Sequence, residues 1–142
     1  GSYTTELHKY SSLQIGYSDD ANETFNLPKD HIDYGKQVAA YYYWVFPNMM
    51  FNFYPWGLSV NIVKPISINR TKVSFLTYIY DHSKLHKGAG NDIDKVERED
   101  EFIVENESKG IQSSFYKSGR FSPTREKGVH HFQRLIAQFL DK

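Results

Sequence analysis

The 142-residue chain contains no cysteine. That absence excludes disulfides, a thiol nucleophile, thiolate zinc sites and any iron–sulfur cluster held by this chain alone. An excess of one charge is missing too: 17 Lys and Arg stand against 17 Asp and Glu. There is therefore no electrostatic footprint for nucleic acid or an anionic membrane, and a small molecule or a protein is the expected partner. No apolar run approaches the roughly 18 residues of a membrane span, and no basic-then-apolar leader opens the chain, so a cytoplasmic protein is expected. No Gly-rich phosphate loop, GxSxG elbow, internal repeat or low-complexity tract is present. An initiating Met is lacking as well. Gly1-Ser2 reads as a tag remnant, with residues 3–142 a portion of a longer protein.

Aromatic residues are plentiful at 16%, with 11 Tyr and 10 Phe, a composition that suits a β-rich body. A short strand is expected at Ser12 to Gly16, then a turn-rich surface loop from Tyr17 to Gly35. Val38 to Phe46, VAAYYYWVF, reads as a buried strand stopped by Pro47-Asn48, with Met49 to Tyr54 returning antiparallel. Leu58 to Val63 and Val73 to Tyr80 form a second hairpin around Asn69-Arg70-Thr71, the first strand ending at Pro65. His82 to Asp92 leads out of the sheet.

Helical periodicity follows. Asp94 with Glu97 three residues on resembles a capping box. At about 100° per residue, Val96, Asp100, Ile103, Val104, Glu107, Gly110, Ile111 and Ser114 share a stripe, whereas Glu97, Arg98, Glu101, Glu105 and Ser108 point elsewhere. That stripe is expected to face the sheet. A carboxylate on such a face needs a cation, a hydrogen-bond network or a metal, or else sits at a helix edge beside Arg or Lys. Asp100, the shorter side chain, is the sharper candidate. A last helix is expected from about Thr124 to Leu140, with Val129, Phe132, Leu135, Ile136 and Phe139 on its apolar face. Strands first and helices last predict an α+β fold, an antiparallel sheet packed on a long C-terminal helix.

Other candidates carry less. His82 and His86 stand four apart beside Asp81, but Gly88 and Gly90 follow and Lys84 and Lys87 add positive charge, so a solvated loop is expected. His130 and His131 are adjacent on a helix and point about 100° apart, which prevents both from chelating one ion. Tyr41, Tyr42, Tyr43, Trp44, Phe46, Phe51, Phe53 and Trp56 form core or line a pocket for an aromatic ring or a quaternary ammonium.

Taken in order, YYYWVFPNMMFNFYPWGLSVNIVKP, TKVSFLTYIY and EREDEFIVENESKGIQSSFYKSGRFSPTREKGVHHFQRLI resemble the C-terminal part of the catalytic α subunit of Rieske non-haem iron oxygenases. These are the aromatic-ring-hydroxylating dioxygenases and their relatives, including choline- and carnitine-type monooxygenases. The resemblance covers about residues 38 to 136. It implies a helix-grip catalytic domain, of which this chain is a part, and a mononuclear Fe(II) held by two His and one carboxylate. The carboxylate maps to Asp100 of the Glu99-Asp100 pair. Two imidazoles and a carboxylate suit ferrous iron because they occupy one face and leave positions open for dioxygen. Phe53, Trp56, Asn61 and Thr77 are the residues expected to contact substrate. The resemblance further implies electrons from NAD(P)H through a reductase or ferredoxin to a Rieske 2Fe-2S cluster, an aromatic or quaternary-amine-like substrate, and a homotrimer.

The departures are also informative. The paired His that complete the family's iron site, and the Cys and His of its cluster, have no counterpart in this chain. The isolated chain is therefore expected to be inactive. Ser108 stands where relatives often carry Gln, and Glu107 replaces a usually apolar residue. Two other readings compete: a non-catalytic helix-grip module that binds a small molecule, and an interaction domain whose Glu97, Glu101 and Glu105 dock a basic partner.

Overall fold

The structure, a computed structural model, describes residues 2–90 and 92–141, with the side chains of Ile93 and Asp94 outside that description. Gly1 of the expected tag remnant also lies outside it. Strands β1 (Tyr3–His8), β2 (Ser11–Tyr17), β3 (Val38–Val45), β4 (Met49–Tyr54), β5 (Gly57–Ser67) and β6 (Arg70–Ile79) precede helices α1 (Ile93–Ile111) and α2 (Lys127–Leu140). The strands form one six-stranded antiparallel sheet in sequential order. This is the α+β layout expected, strands first and helices last.

Both expected hairpins form, and the register explains where their limits differ. β5 runs through Pro65 to Ser67, and the turn is the tighter Ile68-Asn69 between the paired Ser67 and Arg70. Val63 donates its N–H to the Asn48 carbonyl, so odd-numbered residues of β5 address β4. Pro65 points its missing N–H past Met49, where β4 has not yet begun, and interrupts no ladder bond. β1 pairs with β2 although its Thr, Glu and His give it little apolar signal.

A bulge sets the first core. Gly16 opposes Ala40 while Tyr17 opposes Val38, so Ala39 is the extra residue and Val38 turns to the face that carries Leu13 and Ile15. These three are buried, with Phe25, Leu27 and Tyr41 against them. The loop covering them, residues 18–37, is tied down by Asp33. Its buried carboxylate accepts from Lys36 Nζ at 2.7 Å and from the Tyr41 hydroxyl at 2.9 Å. The bond from Lys36 holds the Asp33 carboxyl below its ordinary value, while burial, followed by Asp33, pushes the Tyr41 hydroxyl well above its own.

A second cluster, Ala40, Tyr54 and Trp56 with Tyr42, Leu85 and Ala89, lies on the opposite face. The Tyr54 and Trp56 rings stack at 4.9 Å, and Trp56 donates from Nε1 to the Ala89 carbonyl at 3.2 Å. Gly90 passes over that stack with φ of 73°, and a Cβ there would come within 3.0 Å of the Tyr54 ring.

Helix α2 packs on the sheet as its apolar stripe predicts: Leu135 is buried, Phe132 meets Trp44 edge-on at 5.1 Å, and Phe139 lies 4.7 Å from Phe46. It starts at Lys127 rather than Thr124, because Ser122 to Glu126 form a separate turn in which the Ser122 N–H bonds the Glu126 carboxylate at 2.6 Å. Helix α1 departs further from expectation. It begins at Ile93 with Asp92 in the capping position and no side-chain cap bond, two residues before the expected Asp94, whose side chain lies outside the described residues. Its stripe does not face the sheet. Val96, Ile103, Val104 and Ile111 are 50 to 63% exposed. The periodicity picks out an apolar stripe, but nothing among the described residues covers it.

Candidate functional site

Strand register decides which side chains share a surface, because successive residues alternate between faces. Asn52 opposes Ser59, which opposes Thr77, and Met50 opposes Asn61, which opposes Phe75. These side chains therefore share one face, which α2 covers further along at Trp44, the partner of Met50. Ser59 is fully buried and donates its hydroxyl to Asn61 Oδ1 at 3.1 Å. That bond directs the amide oxygen of Asn61 toward Ser59 and its nitrogen away. Asn61 and Thr77 thus sit together, as neighbours of Phe75. Ser59 was absent from the residues expected at the site, since a lone serine in an alternating strand gives no sign of being buried.

Phe53 is on the other face. It opposes Leu58 and, with Phe25, Leu58 and Tyr78, lines an open groove of about 520 Å³ that ends at Asp81 and Lys84. Trp56 is wholly buried under Ala89 and Gly90, so it supports Tyr54 instead of offering a surface to a ligand. The four residues expected to contact substrate therefore do not converge on one pocket in this chain. The Tyr54 hydroxyl is pushed well above its ordinary value by burial, then by Tyr42 and in part by the charge of Glu97. Tyr54 opposes Gly57 and so shares the face of Asn61 and Thr77, and Gly90, three residues before α1, lies over its ring.

Asp100 lies one turn beyond Glu97 and is exposed, as are Glu107 and Ser108. No group of three or more His, Asp or Glu side chains is placed to hold a metal ion among the described residues. The side chains present do not by themselves fit a mononuclear iron, and Asp100 supplies at most one of its three donors. His82 and His86 are exposed in a loop, where Asp81 accepts from Ser83 N–H and hydroxyl at 2.9 and 2.7 Å. His130 rests 5.3 Å from Phe121, whereas the Nε2 of His131 is shielded from solvent without a hydrogen-bond partner among the described residues. The two histidines behave as separate side chains, as their helical spacing requires.

Residues 16–142 match the model of a family described as the ring hydroxylating alpha subunit, catalytic domain. The chain belongs to that family. Among its relatives are the chloroplastic choline monooxygenase of Atriplex hortensis, 33% identical over 110 residues, and that of Arabidopsis thaliana, 33% identical over 102 residues. They match 72% and 68% of this chain, which spans 24% of the length of each. A solved structure of the quaternary ammonium Rieske monooxygenase CntA, in complex with gamma-butyrobetaine, superposes with a TM-score of 0.64 at 21% identity. It covers 96% of this chain, which spans 38% of that one. A second CntA structure, with the inhibitor MMV12, gives 0.67. The likeness shows the fold. No helix among the described residues is long and apolar enough to cross a membrane.

Proposed function

We propose that this chain is the C-terminal part of the catalytic domain of a Rieske-type non-haem iron oxygenase, with Asp100 as the one iron ligand it contributes. The family match over residues 16–142 is the observation that carries the reading. In the intact subunit the sheet wraps a helix in helix-grip fashion, and residues outside these 142 supply the two His donors. Iron held there would supply the chemistry for dioxygen. The chain's own contribution is then positional: Asn61, oriented by buried Ser59, and Thr77 present polar groups on the sheet face that carries Tyr54. Trp56 holds Tyr54 in place behind them, and Phe53 contributes from the opposite face.

The substrate is an organic molecule, aromatic or quaternary-amine-like, hydroxylated with electrons from NAD(P)H delivered by a reductase or ferredoxin through a Rieske cluster. The relatives named as choline and quaternary ammonium monooxygenases support the second class. A trimer of α subunits and a cytoplasmic location complete the proposal; the matched choline monooxygenases are chloroplastic, and fractionation of cells expressing the intact subunit separates the two compartments. The test of Asp100 uses the intact subunit. Asp100→Ala is expected to remove mononuclear iron and turnover, while neutralising Glu97, Glu101 and Glu105 together leaves iron content unchanged. Stoichiometric iron and full turnover in Asp100→Ala would sink the assignment.

A further inference from the structure

The two edges of the sheet are built differently. β1, at one edge, carries Thr4, Thr5, Glu6 and His8, and α2 packs beside it. Charged and short polar side chains of this kind discourage further strand pairing. β6, at the other edge, runs for 10 residues without Pro. Its apolar side chains alternate onto both faces: Val73 and Phe75 on one, Leu76 and Tyr78 on the other, each 41 to 58% exposed. Apolar residues on both faces suit a strand whose two faces are both covered, as in a sheet that continues into a larger domain. The charges of β6, Arg70 and Lys72, stand at the turn end, and from Val73 to Ile79 the edge is uncharged and open, the pattern of an aggregation site unless it is covered.

The free backbone groups can be identified. Tyr80 donates its N–H to the Trp56 carbonyl, so this pair is a hydrogen-bonded one and the pattern alternates from it. Leu76 and Tyr78 address β5. The N–H and C=O groups of Val73, Phe75, Thr77 and Ile79 point outward, and no strand pairs with them among the described residues.

We propose that β6 is an interior strand of the complete sheet, and that its outer edge pairs with a strand from the part of the same subunit outside these 142 residues. The occupant follows from length: the curated relatives are about four times as long as the stretch matched, since this chain spans 24% of them. A second copy of the chain is the competing occupant, which the dependence of protection on concentration separates. The inference rests on reading the chain as part of a longer catalytic domain, but it does not involve iron.

Amide hydrogen exchange tests it, comparing the intact subunit with the 142-residue chain. In the intact subunit the N–H groups of Val73, Phe75, Thr77 and Ile79 are expected to exchange at least about tenfold more slowly than in the short chain, while those of Leu76 and Tyr78 are protected in both. Equal exchange of the four outward groups in the two proteins overturns the proposal. Protection that appears in the short chain with rising concentration, together with a doubled mass, overturns it in favour of a second copy. A paired substitution gives an independent reading: Phe75→Pro removes the outward N–H, and Phe75→Ala controls for the lost ring. The proline variant should melt lower than the alanine variant in the intact subunit and about equally with it in the short chain. No such difference in the intact subunit also refutes the pairing. Because protection is read without iron, loss of the Asp100 assignment leaves this result standing, and an unprotected β6 in an iron-loaded subunit sinks the pairing alone.

Discussion

Asp33→Ala is the most informative perturbation of the chain as it stands. The carboxylate is buried, holds the Tyr41 hydroxyl at 2.9 Å and the Lys36 ammonium at 2.7 Å, and fastens the loop that covers Leu13, Ile15 and Val38. A hydrogen bond to a charged acceptor contributes about 1.5–3 kcal/mol, and the Tyr41 bond is the more sheltered of the two. Lys36 is 53% exposed, so its ion pair adds no more than about 1 kcal/mol. The sum is roughly 2–4 kcal/mol, which in a domain of this size lowers Tm by about 5–15 °C. Scanning calorimetry of Asp33→Ala, Tyr41→Phe and the double variant should show a coupling of about 1–2 kcal/mol between the two positions. Additive losses would refute the argument. The pH dependence has a defined sign: Asp33 is held below its ordinary 3.8 in the fold, so its contribution is present above that value and is lost as pH falls through the lowered one. The wild type should therefore lose more stability below pH 3.8 than Asp33→Ala does.

Three further substitutions probe the frame around the site. A Cβ on Gly57 would overlap the Tyr78 carbonyl oxygen and press on the Ile79 backbone, so Gly57→Ala should cost more than about 2 kcal/mol in urea unfolding, whereas Gly110→Ala, with open space around it, should strengthen α1 by about 0.5–1 kcal/mol, read as slower amide exchange there. Leu135→Ala should cost about 2–5 kcal/mol and shift the emission of Trp44, which meets Phe132 across the same interface; a loss under about 1 kcal/mol would mean that α2 is not anchored as described.

Much of this arrangement is legible in the sequence. The run VAAYYYWVF, broken at Pro47-Asn48, specifies a strand and its reversal, and the stripe Val129, Phe132, Leu135, Ile136 and Phe139 specifies a helix that packs on the sheet through Phe132 and Leu135. Pro65 misleads, because only the pairing shows that its missing N–H points beyond the end of β4. The same limit governs the site. Phe53 and Asn61 are both odd-numbered and both alternate correctly within their strands. Which face each takes depends on the turn joining the strands, and that turn pairs Phe53 with Leu58. A shift of one residue would have put them on the same side. Trp56 is hidden for a similar reason: its burial comes from Ala89 and Gly90, more than 30 residues away, and nothing local announces the contact.

The exposure of α1 makes the role of Asp100 testable through the sign of a stability change. In the 142-residue chain Asp100 is exposed. Yet its stripe holds Val96, Ile103 and Val104, an apolar surface that an intact domain has reason to cover. Covering it draws the carboxylate out of water, at an effective cost of several kcal/mol unless a cation faces it. If that cation is ferrous iron, Asp100→Ala should raise the Tm of the metal-free intact subunit, by removing an uncompensated charge, and lower that of the iron-loaded one, by removing a ligand. If instead a Lys or Arg from the remainder of the domain faces Asp100, the substitution strands that base and destabilises both forms alike. Thermal melts of the two forms, each with and without the substitution, therefore separate a metal ligand from a structural ion pair. A loss of equal size in both forms would remove Asp100 from the iron site.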